Sequence, residues 1–171
     1  MALITRSPRR ARAIAAALGS LGCPGFAQLP LGFEDDPPPP AQDPAVVLSA
    51  ALACDDLPRS IVRALPWVVL EYAGMDWEFV LKEARRRGTQ NRLGFIVTMA
   101  EQLGAQNYGN EEKLTRLAEV EERLFDIRLD REDTLCQESL PESEKTWLRA
   151  NRPKEAALWG LLTDVDMGEV G

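Results

Sequence analysis

The chain has 171 residues, 45% of them apolar, and it carries 20 basic against 27 acidic residues for a net charge of −7. That length suits one compact domain, and no stretch approaches the roughly 18 consecutive apolar residues of a membrane helix, so we expect a soluble, cytoplasmic protein without a membrane partner. The chain lacks histidine, the commonest general base and zinc ligand, and its three scattered cysteines do not suggest a disulfide framework.

Residues 1–22 are predicted to form a basic N-terminal helix, because they contain four arginines and no acid. Ser7 can cap this helix, and Pro8 suits its first turn. The narrow apolar stripe of the helix comprises Ile14, Leu18 and Leu21. Arg9 and Arg10 are candidates for contacts with a partner.

The same segment has an alternative interpretation as a twin-arginine export signal that ends at Cys23. Arg12 interrupts the apolar part, however, and no aliphatic residue lies three positions before Cys23, where a lipoprotein signal needs one. We therefore prefer the helix.

Residues 23–42 are predicted to be a proline-rich linker, since the run from Pro37 to Pro40 excludes a helix or a central strand. Four prolines favour an extended polyproline II spacer. The alternative is a ligand for a proline-binding groove, but no flanking basic residue supports it.

A helical domain is predicted over residues 43–165. Asp43 and Pro44 are typical of a helix start, and this helix should run to about Cys54. Its inward positions would be Val46, Val47, Ala50 and Ala51.

The next helix is predicted to begin near Pro58. Pro66 should kink or restart it, because proline removes a backbone hydrogen bond and collides with the preceding turn. The stripe before Pro66 consists of Ile61, Val62 and Leu65. The stretch from Trp67 to Leu70 is apolar all round, which predicts the most buried helix, ending at Gly74.

The clearest pattern is a helical hairpin from Asp76 to Gly104. Asp76 caps its first helix, and Gly88 ends it. Thr89 caps the second helix, which Gly104 would end in a left-handed conformation. The two apolar stripes are Trp77, Val80, Leu81 and Ala84, and then Leu93, Ile96, Val97, Ala100 and Leu103. We expect both apolar faces to pack against a common partner.

Asn110 is predicted to cap a third long helix. Its apolar seam comprises Leu114, Leu117, Val120, Leu124 and Ile127. Glu112 pairs with Arg116, and Glu119 with Arg123, at the four-residue spacing that stabilises an exposed helix face.

The helical pattern weakens after Asp126. Pro141 begins a short helix, and Pro153 begins the last one. The stripe of the last helix is Leu158, Leu161, Leu162 and Val165. Residues 166–171 predict a disordered acidic tail. Since no segment alternates with a two-residue period, the predicted fold class is all-α, an irregular bundle of about seven short helices without a significant sheet.

Enzymatic chemistry is not expected. Asp126, Asp130 and Asp133 would share a helix face and could hold a divalent cation, but Arg128 and Arg131 lie between them, which is typical of a solvated surface. Glycine-rich phosphate loops are missing, and no histidine is present to activate a cysteine. We therefore predict no cofactor, no metal and no small-molecule substrate.

The hairpin corner permits one sharper hypothesis, a DNA-reading helix-turn-helix. Gln90, Asn91 and Arg92 begin the second helix with side chains that suit base edges. The predicted phosphate contacts are Arg85, Arg86 and Arg87. Gly94 stands where that motif has an aliphatic core residue, so a charged hairpin corner is the simpler interpretation.

An Asp-Pro-x-x-x-Leu helix start is followed at some distance by an Arg-Leu-Gly pattern. The positions concerned are Asp43, Pro44, Leu48, Ala84, Arg92, Leu93, Gly94 and Leu103. In these positions residues 43–104 resemble the C-terminal half of abortive-infection type IV antitoxins. The resemblance implies an antitoxin and autoregulator of an operon for a nucleotidyltransferase toxin, with DNA bound through an N-terminal winged helix. Residues 1–42 are too short and proline-rich for a winged helix, which leaves the partner-binding half.

We therefore predict a non-enzymatic protein-interaction module, a regulatory or antitoxin-like partner of a bacterial effector in phage defence, that binds a protein encoded nearby. The alternative is a sequence-specific DNA-binding regulator that uses residues 77–103. Large aromatic residues at helical spacing are usually in the core, and an exposed Trp147 or Trp159 would become a candidate binding hot spot.

Overall fold

The computed structural model describes residues 8–26 and 42–166, in which eight helices and one two-stranded sheet are present. The helices are α1 (Pro8–Ser20), α2 (Pro44–Leu52), α3 (Arg59–Glu71), α4 (Trp77–Arg87), α5 (Gln90–Ala105), α6 (Glu111–Asp126), α7 (Glu142–Asn151) and α8 (Lys154–Leu158). The strands β1 (Asp133–Thr134) and β2 (Leu161–Leu162) pair in parallel. The all-α prediction is confirmed. Among the described helices, none is long and apolar enough to cross a membrane.

Helix α5 lies at the centre of the molecule, packed against α3 on one side and α6 on the other. Its fully buried apolar residues include Leu93, Phe95, Ile96, Val97, Met99 and Ala100. Gly104 brings α3 and α6 close to its end, since a Cβ atom there would lie 2.9 Å from Leu70 and 2.9 Å from Leu114. Gly104 continues the helix to Ala105, so the predicted left-handed ending at Gly104 is wrong.

The helical hairpin forms with the predicted caps at α4. Asp76 accepts a hydrogen bond from the Phe79 amide at 3.2 Å, and Gly88 adopts a left-handed φ of 70°. Helix α4 packs mainly against α2, whereas α5 packs against α3 and α6. The two helices of the hairpin thus have different main partner helices, because α5 is apolar on more than one face, although their buried residues belong to one hydrophobic core.

Helix α1 packs on the rest of the molecule. Its predicted stripe of Ile14, Leu18 and Leu21 is buried, and the Tyr72 hydroxyl donates to the Leu21 carbonyl at 2.7 Å. Cys23, assigned to the linker by the sequence, is buried in the same core. The proline run, residues 1–7 and residues 167–171 lie outside the described part of the chain.

Helix α2 begins as predicted, with Asp43 accepting from the Ala45 amide at 2.9 Å, but its inward face differs. Val46 and Ala50 were predicted inward and are exposed. The buried residues are Ala45, Val47, Leu48, Ala51 and Leu52. The sequence misled here because α2 is apolar on nearly all sides, so periodicity does not single out one face.

Pro66 does not break α3, which is one helix from Arg59 to Glu71. Its missing amide affects a single hydrogen bond, and Leu65, Val68 and Val69 are fully buried on both sides of it. Burial of this apolar stripe outweighs the local cost of the proline.

The last predicted helix is wrong beyond Leu158. Gly160 takes a positive φ of 66° and turns the chain, and its carbonyl accepts from the Asp133 amide at 3.0 Å. Leu161 and Leu162 then pair with β1 instead of continuing α8. A side chain at position 160 would also approach the Arg131 carbonyl at 2.9 Å, so glycine is needed for this turn.

Helix α6 carries its buried seam as predicted, with Leu117, Val120 and Leu124 inside. Its outer face differs, because Arg123 donates to Glu78 of α4 at 3.0 Å rather than pairing along its own helix. The Asn110 side chain does not cap α6; instead its Nδ2 donates to the Gly104 carbonyl, near the end of α5, at 3.1 Å.

Candidate functional site

The three polar residues at the start of α5 face the interior. The Gln90 side chain donates to the Ile127 carbonyl at 3.4 Å. The Asn91 side chain donates to the Leu129 carbonyl and accepts from the Leu129 amide, both at 2.9 Å. All these bonds hold the chain that follows α6, so Gln90 and Asn91 are turned away from any duplex laid on the hairpin corner.

Arg92 is buried and forms a bidentate ion pair with Asp133 of β1. Its Nε lies 2.8 Å and its Nη2 3.0 Å from the two carboxylate oxygens. Its Nη1 donates to the carbonyls of Leu52 at 2.9 Å and Cys54 at 3.1 Å. One guanidinium thus joins α5, the end of α2 and β1. The arginine that the sequence suggested for a base edge is used inside the fold.

The arginines at the end of α4 are exposed, but two of them are partly neutralised. Arg86 and Arg87 both contact Glu83, at 2.9 and 3.3 Å. The hydrogen bond from Arg86, followed by that from Arg87, holds the pKa of Glu83 below its usual range. Arg85 is exposed on the same helix. The corner therefore offers less positive charge than its sequence suggests.

Trp159 is fully buried and belongs to the core. Its ring lies against Gly94, where a Cβ atom would come within 2.3 Å of a ring carbon. Its indole Nε1 donates to Thr98 Oγ1 at 3.0 Å, and its ring meets Phe125 edge-on at a centroid distance of 6.0 Å. Gly94, which did not fit a helix-turn-helix, is explained by this contact.

Trp147, in contrast, is 57% exposed on α7. It lies at the edge of a shallow depression of about 210 Å³. We call this the Trp147 surface, and its lining residues are Arg59, Gln137, Leu140, Glu144, Trp147, Leu148 and Asp164. Arg59 and Asp164, which both line the depression, form an ion pair.

Helix α7 is fixed where it presents Trp147. Leu148 is buried, and α7 contacts β2. Arg149 donates to both oxygens of Glu132 at 2.7 to 3.0 Å. Before the helix, Asp56 accepts from the Ser139 hydroxyl at 2.8 Å. The exposed ring is thus carried by a helix that is anchored at several points.

The remaining candidates from the sequence lie elsewhere. Arg9 and Arg10 are exposed on the first turns of α1, far along the chain from α7, and Arg10 lines a groove between α1 and α2. Asp126 ends α6, and Asp133 holds Arg92. Among the described residues, no group of three or more potential metal ligands occurs.

All three cysteines are buried and unpaired with one another. Burial raises the pKa of the Cys23 thiol to about 11 and that of Cys136 to about 12. These thiols are protonated at neutral pH, which makes them poor nucleophiles.

The sequence did not predict one polar contact, the pair of carboxyl groups formed by Glu101 of α5 and Glu121 of α6. Burial, and then the neighbouring Glu121, raises the pKa of Glu101 to about 8. Glu121 also accepts from Thr98 Oγ1 at 3.3 Å, which links the pair to Trp159. The available signal was the single acid in α5, but its partner lies 20 residues away on another helix.

Comparison with protein-family models, with curated proteins and with solved structures finds no match to this chain. The resemblance of residues 43–104 to type IV antitoxins therefore stays a prediction.

Proposed function

We propose that this protein is a non-enzymatic interaction module that binds a partner protein through the Trp147 surface. The observation that supports it is an indole more than half exposed, at 57%, on a helix anchored by buried and ion-paired neighbours. Tryptophan is among the residues most enriched at binding hot spots, and it contributes a large apolar area when a partner covers it.

The anchoring of α7 favours tight binding. A side chain and helix that are already ordered lose little conformational entropy when a complex forms. Trp147 also stands beside a depression, so a partner could cover the ring and fill the recess next to it. Such a combination of an aromatic anchor and a pocket is typical of the centre of an interface.

The negative charge around the Trp147 surface indicates what kind of partner surface would fit it. Residues 105–171 contain 9 basic and 16 acidic residues, and Glu144 lies on the Trp147 surface itself. Glu138 and Glu142 are exposed nearby in the chain. The expected partner has an apolar recess for the indole and a basic rim, since complementary charge speeds association and excludes wrong partners.

The resemblance to type IV antitoxins suggests the partner's class. We propose a bacterial effector encoded beside this gene, such as a nucleotidyltransferase toxin in phage defence, that this protein restrains as a regulatory or antitoxin-like subunit. The alternative of sequence-specific DNA binding would depend on Arg85, Arg86 and Arg87 alone, because Gln90, Asn91 and Arg92 are engaged inside the fold.

The test is a binding titration with the purified product of the adjacent gene. Trp147→Ala should weaken binding by about 30-fold or more, the size of a hot-spot loss of about 2 kcal/mol. Tyr108→Ala is the matched control, because Tyr108 is another exposed aromatic residue but lies between α5 and α6. It should leave the affinity unchanged.

Two results would overturn the proposal. One is a Trp147→Ala variant that binds as tightly as the wild type while both keep the same thermal unfolding midpoint. The other is strong binding of operon DNA with a steep dependence on salt, lost when Arg85, Arg86 and Arg87 are replaced by alanine, which would favour the DNA-binding regulator.

A further inference from the structure

Three arginines converge on a cleft of about 540 Å³ beside the turn that follows α8. We call it the arginine cleft. Its lining residues are Arg128, Leu129, Asp130, Arg131, Glu132, Arg152, Ala157, Leu158, Trp159 and Gly160. The sequence suggested only a solvated, mixed-charge surface for this part of the chain. Arg152 lies in the same cleft as Arg128 and Arg131 because β2 pairs with β1.

Each guanidinium in the cleft is held by backbone oxygens. Arg128 donates to the Leu158 carbonyl at 3.0 Å, and its guanidinium carbon lies 3.5 Å above the centre of the Phe125 ring. Arg131 donates to the Gly88 carbonyl at 2.9 Å. Arg152 donates to the Leu161 carbonyl at 3.1 Å. Arg128 also donates through Nε to the Phe125 carbonyl at 3.3 Å. Since each guanidinium has five N–H donors, every one of the three keeps further donors for a ligand.

The cleft has a surplus of positive charge. None of its three arginines forms an ion pair with a carboxylate anywhere in residues 8–26 or 42–166. Of the two acids that line it, Glu132 is already bound by Arg149, which lies outside the cleft. Asp130 is the other. Three guanidiniums against one unpaired carboxylate leave two positive charges uncompensated.

We propose that the arginine cleft binds a phosphate group. Two surplus charges match the dianionic form that a phosphate monoester approaches at neutral pH, whereas a carboxylate would compensate only one. Guanidinium groups present paired N–H donors that fit phosphate oxygens in a bidentate arrangement. Because backbone carbonyls already hold the arginines in place, binding costs little side-chain entropy.

One wall of the cleft is apolar and could contact the organic part of a phosphorylated molecule. We use the term apolar wall for the apolar lining residues Leu129, Ala157 and Leu158, of which Leu158 is a large exposed hydrophobic residue. The phosphate could therefore come from inorganic phosphate or from a phosphate monoester, and the two sources can be separated by experiment.

The test is isothermal titration calorimetry of the whole protein with inorganic phosphate and with adenosine monophosphate. The double variant Arg128→Gln/Arg131→Gln should lose at least tenfold in affinity for whichever ligand binds. The matched control, Arg85→Gln/Arg116→Gln, removes the same two charges from exposed positions on α4 and α6 and should bind as the wild type does. Tighter binding of adenosine monophosphate than of phosphate would show that the apolar wall takes part.

A separate variant distinguishes loss of phosphate binding from loss of folding. Arg152→Lys keeps the charge and one donor for the Leu161 carbonyl but removes the paired donors, so it should weaken binding while the circular dichroism spectrum remains that of the folded protein. Absence of binding by the wild type at millimolar concentrations of both ligands would overturn the proposal. An equal loss in the control variant would also overturn it, because the attraction would then come from net charge alone.

Discussion

The helices around α5 and the chain from Ile127 to Val165 are held in place by different kinds of contact. Helix α5 is surrounded by apolar side chains of α3 and α6. The later segment contains two short helices and a two-residue strand pairing, and hydrogen bonds and an ion pair of polar side chains tie it to α5 and to the end of α4. The main examples are Asn91 at Leu129, Arg92 at Asp133, and Arg131 at Gly88.

The difference shows which part of a fold depends on many weak contacts and which on a few strong ones. Apolar packing around α5 is spread over many residues, so a single change leaves most of it intact. The segment after α6 also buries Leu135, Trp159 and Leu161, but a few directional bonds help to hold it, and removing a buried one leaves polar groups unpaired. Substitutions that test this comparison should therefore have their largest effect at the polar contacts.

Arg92→Ala should give the largest effect. It removes a buried ion pair and leaves Asp133 and the carbonyls of Leu52 and Cys54 without their donor. We expect the free energy of unfolding to fall by about 3–5 kcal/mol, as measured by urea denaturation. Arg116→Ala on the exposed face of α6 is the control and should change stability by less than about 0.5 kcal/mol.

Hydrogen exchange of the Arg92→Ala variant would sharpen the comparison further. Amides of residues 129–136 should exchange faster than in the wild type, while those in the middle of α5 keep more of their protection. Uniform loss of protection across both regions would contradict the view that the two are held independently.

Gly94→Ala should have the next largest effect, because Gly94 lies where the two regions meet. The added Cβ would lie 2.3 Å from the Trp159 ring, which must then move out of its place against α5. We expect a loss of about 1–3 kcal/mol in the free energy of unfolding and a shift in tryptophan fluorescence. Gly74→Ala, which meets no atom within 4 Å, should be close to neutral. Equal stability of the two variants would show that the Trp159 contact can relax.

The sequence predicted the region around α5 well and the later segment poorly. Caps at Asp43 and Asp76 and the left-handed Gly88 are local features, visible in a few adjacent residues. The turn at Gly160 is different, because the oxygen that it must avoid belongs to Arg131, far away in sequence. Periodicity alone therefore extended α8 through Leu161 and Leu162 into what is a strand.

The candidate site was likewise hard to predict where it depends on contacts between residues that are distant in sequence. Helical spacing alone did not distinguish Trp147 from Trp159, whereas the structure buries Trp159 against Gly94 and leaves Trp147 exposed. Gln90 and Arg92 look like exposed binding residues because their partners, Ile127 and Asp133, belong to a segment whose path could not be predicted.

The smallest expected effect is the pH dependence of stability that arises from Glu101, a residue of the apolar region around α5. Burial and Glu121 raise its pKa to about 8 from 4.5, so the folded protein holds a proton that the unfolded chain releases. The free energy of unfolding should therefore fall as pH rises from about 5 to about 8. We expect a decrease of about 1–2 kcal/mol, smaller than the full pKa shift implies, because water screens a half-buried carboxyl.

The Glu101→Gln variant keeps a neutral side chain of the same shape and should remove most of this pH dependence. Urea denaturation at pH 5 and pH 8 measures it directly. Glu122→Gln, an exposed residue of α6 with the same change in charge, should preserve the wild-type slope. If Glu101→Gln keeps that slope too, the carboxyl pair contributes nothing, and any loss of stability between pH 5 and pH 8 must arise from other groups.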